Sequence, residues 1–231
     1  MEELADRLVR GTVEVAREWL RRRPAFGPRR PELVVADLEG SWFTPLLKAL
    51  LPEALVLEGE VRGVPRPALE LGGGGEGTAV YAGYPLLHEL EAFLAAVWDR
   101  SLERGAAAAV LSLLEERGFP AEPEGAEREA YLLVTPECPH CPRVAFALAS
   151  ASRVVPGARY FIVDAYDGAL LELFAELSGV EGASAVPLLA AGDAAYVGAP
   201  RGGVASAVAY VLAALRAVDA DPAEAARSVK E

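Results

Sequence analysis

The sequence predicts an α/β protein built as two tandem units, each a sheet flanked by helices. Three observations carry that prediction. Short apolar stretches in the second half alternate with helically spaced ones in the order β-α-β-α-β-β-α. A Tyr-x-Gly-x-Pro signature occurs twice, at Tyr81, Gly83, Pro85 and at Tyr196, Gly198, Pro200. Both cysteines of the 231-residue chain fall in "TPECPHCPR", residues 135–143, where an apolar stretch gives way to a helical pattern.

The second unit reads more clearly. "YLLVT" (131–135) is a short apolar strand, and "PRVAFALASAS" after the cysteines is a helix with Val144, Ala145 and Leu148 at helical spacing. "ARYFIVDAY" (158–166) has the aromatic and β-branched content of a strand. "GALLELFAELSGV" is a second helix ending near Gly179. "VPLLAAGDAAYVG" (186–198) reads as a hairpin turning at Gly192-Asp193, and a last helix follows Arg201.

The first unit repeats these landmarks. Its Tyr-x-Gly-x-Pro copy leads into a helix carrying Leu87, Leu90, Phe93, Leu94 and Trp98. "RPALEL" (66–71) matches "VPLLAA" (186–191), and "ELVVAD" followed by "SWFTP" (41–45) matches "YLLVT" followed by "CPHCP". Ser41 and Thr44 thus stand where Cys138 and Cys141 stand. From Thr44 to Pro67 there are 23 residues, against 46 from Cys141 to Pro187, so the first unit has a strand at 54–59 but lacks the second helix. The sheet face left open is expected to be covered by the helix at 2–22 or by a partner subunit, as in a homodimer. "LGGGGEG" (71–77) reads as a hairpin turn, and the boundary is placed at residues 1–104 and 105–231.

Composition narrows the function. A formal net charge of −12 with no long basic run argues against nucleic acid as partner. The basic cluster "RRRPAFGPRR" (21–30) is flanked by acids and reads as a solvated helix end. The N-terminus lacks the pattern of a secretory signal and no apolar run has the length of a membrane span, so the expectation is a soluble, cytoplasmic protein. Asn and Gln are absent and the only Met is the first residue, which fits selection at high temperature. A GC-rich genome accounts equally well for the abundance of Arg, Ala and Gly.

A C-x-x-C pair where a strand meets a helix suits reversible dithiol–disulfide chemistry. The first sulfur meets unpaired N–H groups and the helix dipole, both of which favour a thiolate. The second lies one helical turn on and can resolve a mixed disulfide. Pro139 fits a first helical turn, and His140, when charged, would favour the thiolate further. A zinc site needs about four ligands, whereas this chain has two Cys and two His, with His88 in the other unit on a helix surface. No metal is expected, and no cofactor beyond the Cys138–Cys141 pair.

"CPHCP", "VPLL" and "VGAPRG", together with "AGYPLLHELEAF" in the first half, resemble the protein disulfide oxidoreductases, or glutaredoxin-like proteins, of thermophiles. The resemblance spans most of residues 30–216 and implies tandem thioredoxin-fold units. It implies that Cys138 is the nucleophile and Cys141 the resolving thiol. Pro187 would be cis, Gly198 would belong to the element after the hairpin, and the Val186 backbone would bind an extended client by strand addition. The chain departs from that pattern twice. Ser41 and Thr44 leave the first unit redox-inactive, as scaffold, client groove or dimer surface. Leu132 stands where thioredoxins place a buried acid, for which Asp164 or Glu137 would substitute weakly.

The leading expectation is a thiol–disulfide oxidoreductase that exchanges disulfides with protein clients and depends on a separate reductase or oxidant. Two alternatives stand beside it. A dead first unit before an active second one resembles the N-terminal region of the flavoprotein that reduces peroxiredoxin, which suggests a dedicated electron carrier to a peroxidase. A non-catalytic assembly module with a vestigial or metal-sharing pair is the third.

Overall fold

A computed structural model describes residues 2–22, 32–52, 54–72, 77–98 and 100–229. Most of the basic cluster and the tip of the glycine run at 73–76 lie outside them. The elements are α1 (Glu2–Arg22), β1 (Glu32–Ala36), α2 (Phe43–Leu50), β2 (Leu55–Glu58), β3 (Ala68–Leu71), β4 (Thr78–Ala82), α3 (His88–Trp98) and α4 (Arg100–Glu116). They continue with β5 (Glu129–Val134), α5 (Cys141–Ala151), β6 (Arg159–Asp164), α6 (Gly168–Ser178), β7 (Leu188–Ala191), β8 (Ala194–Val197), α7 (Val204–Ala214) and α8 (Pro222–Ser228).

The two halves do not form separate sheets. The eight strands of the described residues make one, in the order β2-β1-β3-β4-β6-β5-β7-β8. Each half contributes four strands, and the seam is the parallel pair β4–β6, with Thr78 opposite Arg159 and Ala82 opposite Val163. Following the pairings from β1 through β3, β4 and β6 to β5 leaves β1 and β5 pointing the same way. The loops after these two strands, which hold Ser41–Thr44 and Cys138–Cys141, therefore open at the same end of the sheet.

Alternation along the strands produces two cores. Leu33, Val35, Tyr81, Leu132 and Ile162 face a layer that includes α2, α3, α5 and α7. Ala36, Val80, Leu133 and Val163 face the other side, where α6 packs through Leu170 and Phe174. Here the expected cover for the short first unit is corrected. Helix α1 packs on α3, with Ala16 in the helix-rich core, and does not reach the open face. Val61 and Val64 from the loop after β2 cover part of that face, while Leu55 and Leu57 of β2 stay exposed on it. Each buried valine stabilises by roughly 1.5–3 kcal/mol, so a short loop can partly stand in for a missing helix.

The repeat is visible in backbone detail. Arg66–Pro67 and Val186–Pro187 are both cis. The carbonyl of Pro67 accepts the Gly83 N–H at 2.9 Å, and that of Pro187 accepts the Gly198 N–H at 2.8 Å. Both glycines have positive φ, +105° and +94°. They differ in surroundings: a Cβ on Gly83 would stand 2.9 Å from Asp164 Cβ, across the seam, whereas one on Gly198 would meet nothing within 4 Å.

Three smaller differences from the sequence reading concern helices. The last long helix begins at Val204, three residues after Arg201, and a further helix, α8, follows it. Asp221 caps α8 by accepting the Glu224 N–H at 3.0 Å, with Pro222 opening the first turn. Leu87 precedes α3 and has φ +48°.

Gly198→Ala is expected to lower unfolding free energy by about 1–2 kcal/mol through backbone strain alone. Gly83→Ala adds a clash at the seam and is expected to cost roughly twice as much. Urea denaturation of the two variants checks the order.

Candidate active site

Strand β5 delivers the chain into a turn in which the Cys138 N–H bonds Thr135 O at 3.0 Å. Cys138 and Cys141 form a disulfide with Cα atoms 5.4 Å apart, inside the usual range. Cys138 Sγ accepts the Cys141 N–H at 3.1 Å, so the first sulfur sits against the start of α5. Pro139 lies before the helix rather than in its first turn. That turn holds Pro142, and the exposed His140 is the N-cap residue without a side-chain cap bond. A missing N–H costs nothing at Pro142, because the first-turn donors have no partner within the helix.

Pro187 is buried and cis, as the family resemblance implied, and Val186 is half-buried. Among the described residues no hydrogen bond engages the Val186 backbone. Arg143, on the first turn of α5, binds Gly202 O at 2.6 Å and Pro200 O at 2.8 Å. This ties the loop beyond Gly198 to the helix that carries the cysteines. Nothing in the sequence pattern marks Arg143 for that task.

Ser41 and Thr44 are brought together at the start of α2 as expected, but around an unexpected group. Asp37 accepts the Thr44 N–H at 3.0 Å, the Thr44 hydroxyl, the Leu38 N–H at 2.8 Å and the Tyr84 hydroxyl at 2.6 Å. Tyr84 Oη also stands 3.0 Å from Ser41 Oγ. Burial works to raise the Asp37 carboxyl, but the bonds from Thr44, Tyr84, Ser41 and Leu38 outweigh it and hold the group below its ordinary range. A carboxylate thus takes up the Thr44 N–H, the counterpart of the Cys141 N–H that Cys138 Sγ accepts, while the Phe43 N–H goes to Ser41 Oγ.

The acids near the cysteines also differ from expectation. Leu132 is fully buried and apolar. Glu137 is exposed and pairs with Arg7 and the Tyr166 hydroxyl, so it supplies no buried proton acceptor. Asp164 is half-buried and lines a cavity of about 10 Å³ with Glu89, Tyr84 and Pro136 among others. A space of that size is at the lower limit for one water. Burial raises the Asp164 carboxyl to about 6, against the Tyr166 N–H, which lowers it. Glu89 is 3% exposed, and among the described residues neither of its oxygens has a hydrogen-bond partner. Burial first, and then the charge of Asp164, push it up to about 8. Sequence reasoning passed over Glu89 because a glutamate in the first helical turn usually faces water. Its position four residues before Phe93, in the buried stripe of α3, was the available signal.

No protein-family model matches the sequence, and no curated protein matches it. Among solved structures, the fold is similar to a protein disulfide oxidoreductase from Aeropyrum pernix, with TM-score 0.56, 16% identity and coverage of 88% of this chain and 93% of that one. It is similar to the alkylhydroperoxide reductase AhpF of Enterococcus faecalis, with TM-score 0.55, 17% identity and coverage of 81% and 91%. A structure of the N-terminal domain of that same reductase gives TM-score 0.51 at 17% identity over 73% and 85%. At such identities the likeness establishes the fold, which is thioredoxin-like.

Glu89 supplies a pH test. Its folded pKa lies above its ordinary value, so the folded state holds the proton longer than the unfolded one. The associated stability is present below pH 4.5 and is lost as pH rises toward 8. Glu89→Gln is therefore expected to gain on wild type between these limits by at most about 1.4 kcal/mol per pH unit. Urea midpoints at pH 5 and pH 8 check it.

Proposed function

We propose that this protein is a thiol–disulfide oxidoreductase that exchanges disulfides with protein clients through the Cys138–Cys141 pair alone. The observation that supports it best is the setting of Cys138. Its residue keeps 8% exposure against 0% for Cys141, and its sulfur receives the N–H at the start of α5. The less buried of the two cysteines is therefore also the one whose thiolate the helix start would stabilise.

In the reducing direction the Cys138 thiolate attacks one sulfur of a client disulfide. A mixed disulfide forms and the other client sulfur leaves as a thiolate. Cys141, once deprotonated, attacks Cys138 Sγ, closes the intramolecular disulfide and releases the second client thiol. Two electrons pass to the client, and a separate reductase must return them. Run backwards, the same steps form a disulfide in the client. Buried Glu89 and half-buried Asp164 share a cavity with Pro136, two residues before Cys138, and are the groups we assign to hold the Cys141 proton. His140 adds to thiolate stabilisation when charged, and Pro139 shapes the turn. The free Val186 backbone, next to cis Pro187 and braced by Gly198, binds the client as an added strand. Residues 1–104 form the redox-inactive unit and 105–231 the active one.

A second reading is a dedicated electron carrier to a peroxidase. It is favoured by the likeness to the alkylhydroperoxide reductase AhpF. Reduction of an oxidised peroxidase much faster than of insulin would select it.

Cys138→Ser is expected to reduce insulin turnover to background. Cys141→Ser should instead accumulate a mixed disulfide with the client, visible by intact mass. Full activity in Cys138→Ser would falsify the proposal.

A further inference from the structure

The first half carries a groove of about 770 Å³ that no disulfide chemistry explains. It is lined by Leu38, Glu39, Ser41, Thr44 and Arg66 among others, and so lies beside cis Pro67 as well as the start of α2. Three features say what it accepts.

The first is backbone. Arg66 is exposed, and among the described residues no hydrogen bond engages its N–H or C=O. Val186 has the same freedom before its own cis proline. The repeat has therefore kept, in the half without sulfur, the unpaired peptide group that an extended chain can pair with.

The second feature argues against a small anion. The N–H of Thr44 and the hydroxyls of Thr44 and Tyr84 already bond Asp37, which holds its negative charge. With the Phe43 N–H taken by Ser41 Oγ as well, the first donors of α2 are engaged beside a carboxylate, which disfavours a phosphate or sulfate there.

The third is charge and rim. Lys48 pairs with Glu58 at 2.6 Å, and Arg66 stands 3.8 Å from Glu60. Glu39 is exposed and has no ion-pair partner among the described residues. Leu38 and Trp42, in the same loop, are exposed apolar side chains. An occupant with a basic side chain and an apolar one complements this surface.

We infer that the Ser41–Thr44 groove is a non-redox binding site for an extended polypeptide segment, paired to the Arg66 backbone, with a basic residue toward Glu39. This rests on the reading that the clients of Cys138 are proteins, and it gives the sulfur-free half a task in holding them.

The test uses the full chain with Cys138→Ser and Cys141→Ser, carrying an environment-sensitive fluorophore at Pro45→Cys in the groove. The probe is carbamidomethylated insulin B chain, which is extended and has no free thiol. A saturable emission change is expected, with its apparent Kd raised about tenfold by Glu39→Lys. A control label at Glu172→Cys on α6 should stay silent. The inference is overturned if the groove label does not respond, if the control responds equally, or if Glu39→Lys has no effect. It is also overturned if emission changes with protein concentration alone, since a second copy of the chain would then occupy the groove. Insulin reduction by the unmodified chain is measured in parallel. Failure of that activity alone removes the oxidoreductase reading, whereas a silent groove with turnover intact removes only this site.

Discussion

The pairing of β4 with β6 is the contact on which the rest depends. Without it the chain would be two four-stranded sheets on a linker, each with an unprotected edge. With it, Thr78–Ala82 and Arg159–Val163 become interior strands and the edges move out to β2 and β8. The seam is reinforced away from the strands. Arg153 Nη1 donates to Gly77 O at 3.1 Å, and Arg159 Nη2 donates to Arg62 O at 2.6 Å while its guanidinium lies over Phe161. Helices α3 and α5 pack across the same line. The Glu89–Asp164 cavity lies there too, with one carboxyl from each half. Neither half alone could bring these two acids together.

The same strand–loop–helix unit has been settled in two chemically different ways. In one half a sulfur accepts the Cys141 N–H; in the other a carboxylate accepts the Thr44 N–H and is held by the Thr44 and Tyr84 hydroxyls. Both satisfy the helix start, since each supplies negative character to unpaired donors. Only the sulfur can change its bonding. The cis prolines and their glycine-held carbonyls, by contrast, are the same in both halves. Geometry has been kept where chemistry has been replaced.

Much of this was legible in the sequence because it was local. The Tyr-x-Gly-x-Pro copies, the strand at 54–59 and the Gly192-Asp193 hairpin each follow from backbone preferences within a few residues. Contacts between distant segments were not legible. No periodicity tells that β4 and β6 pair, that Val61 and Val64 cover part of a sheet face, or that Glu89 turns inward toward Asp164. The Asp37 network was missed for the same reason: its partners at 44 and 84 are assembled only by the fold. Helix α8 is a different case, since Asp221-Pro222 is a local start signal that sequence reasoning passed over.

The common direction of β1 and β5 has a consequence for reach. Three strand positions separate them in the sheet, making four steps of roughly 4.8 Å, or about 19 Å between the two loops. An extended chain covers that in about six residues. A polypeptide anchored at one loop would present a cysteine to the other as a tethered reactant, at an effective concentration on the order of millimolar. The rigid sheet would then act as a ruler, favouring sulfurs at a set number of residues from the anchor over sulfurs of equal intrinsic reactivity elsewhere.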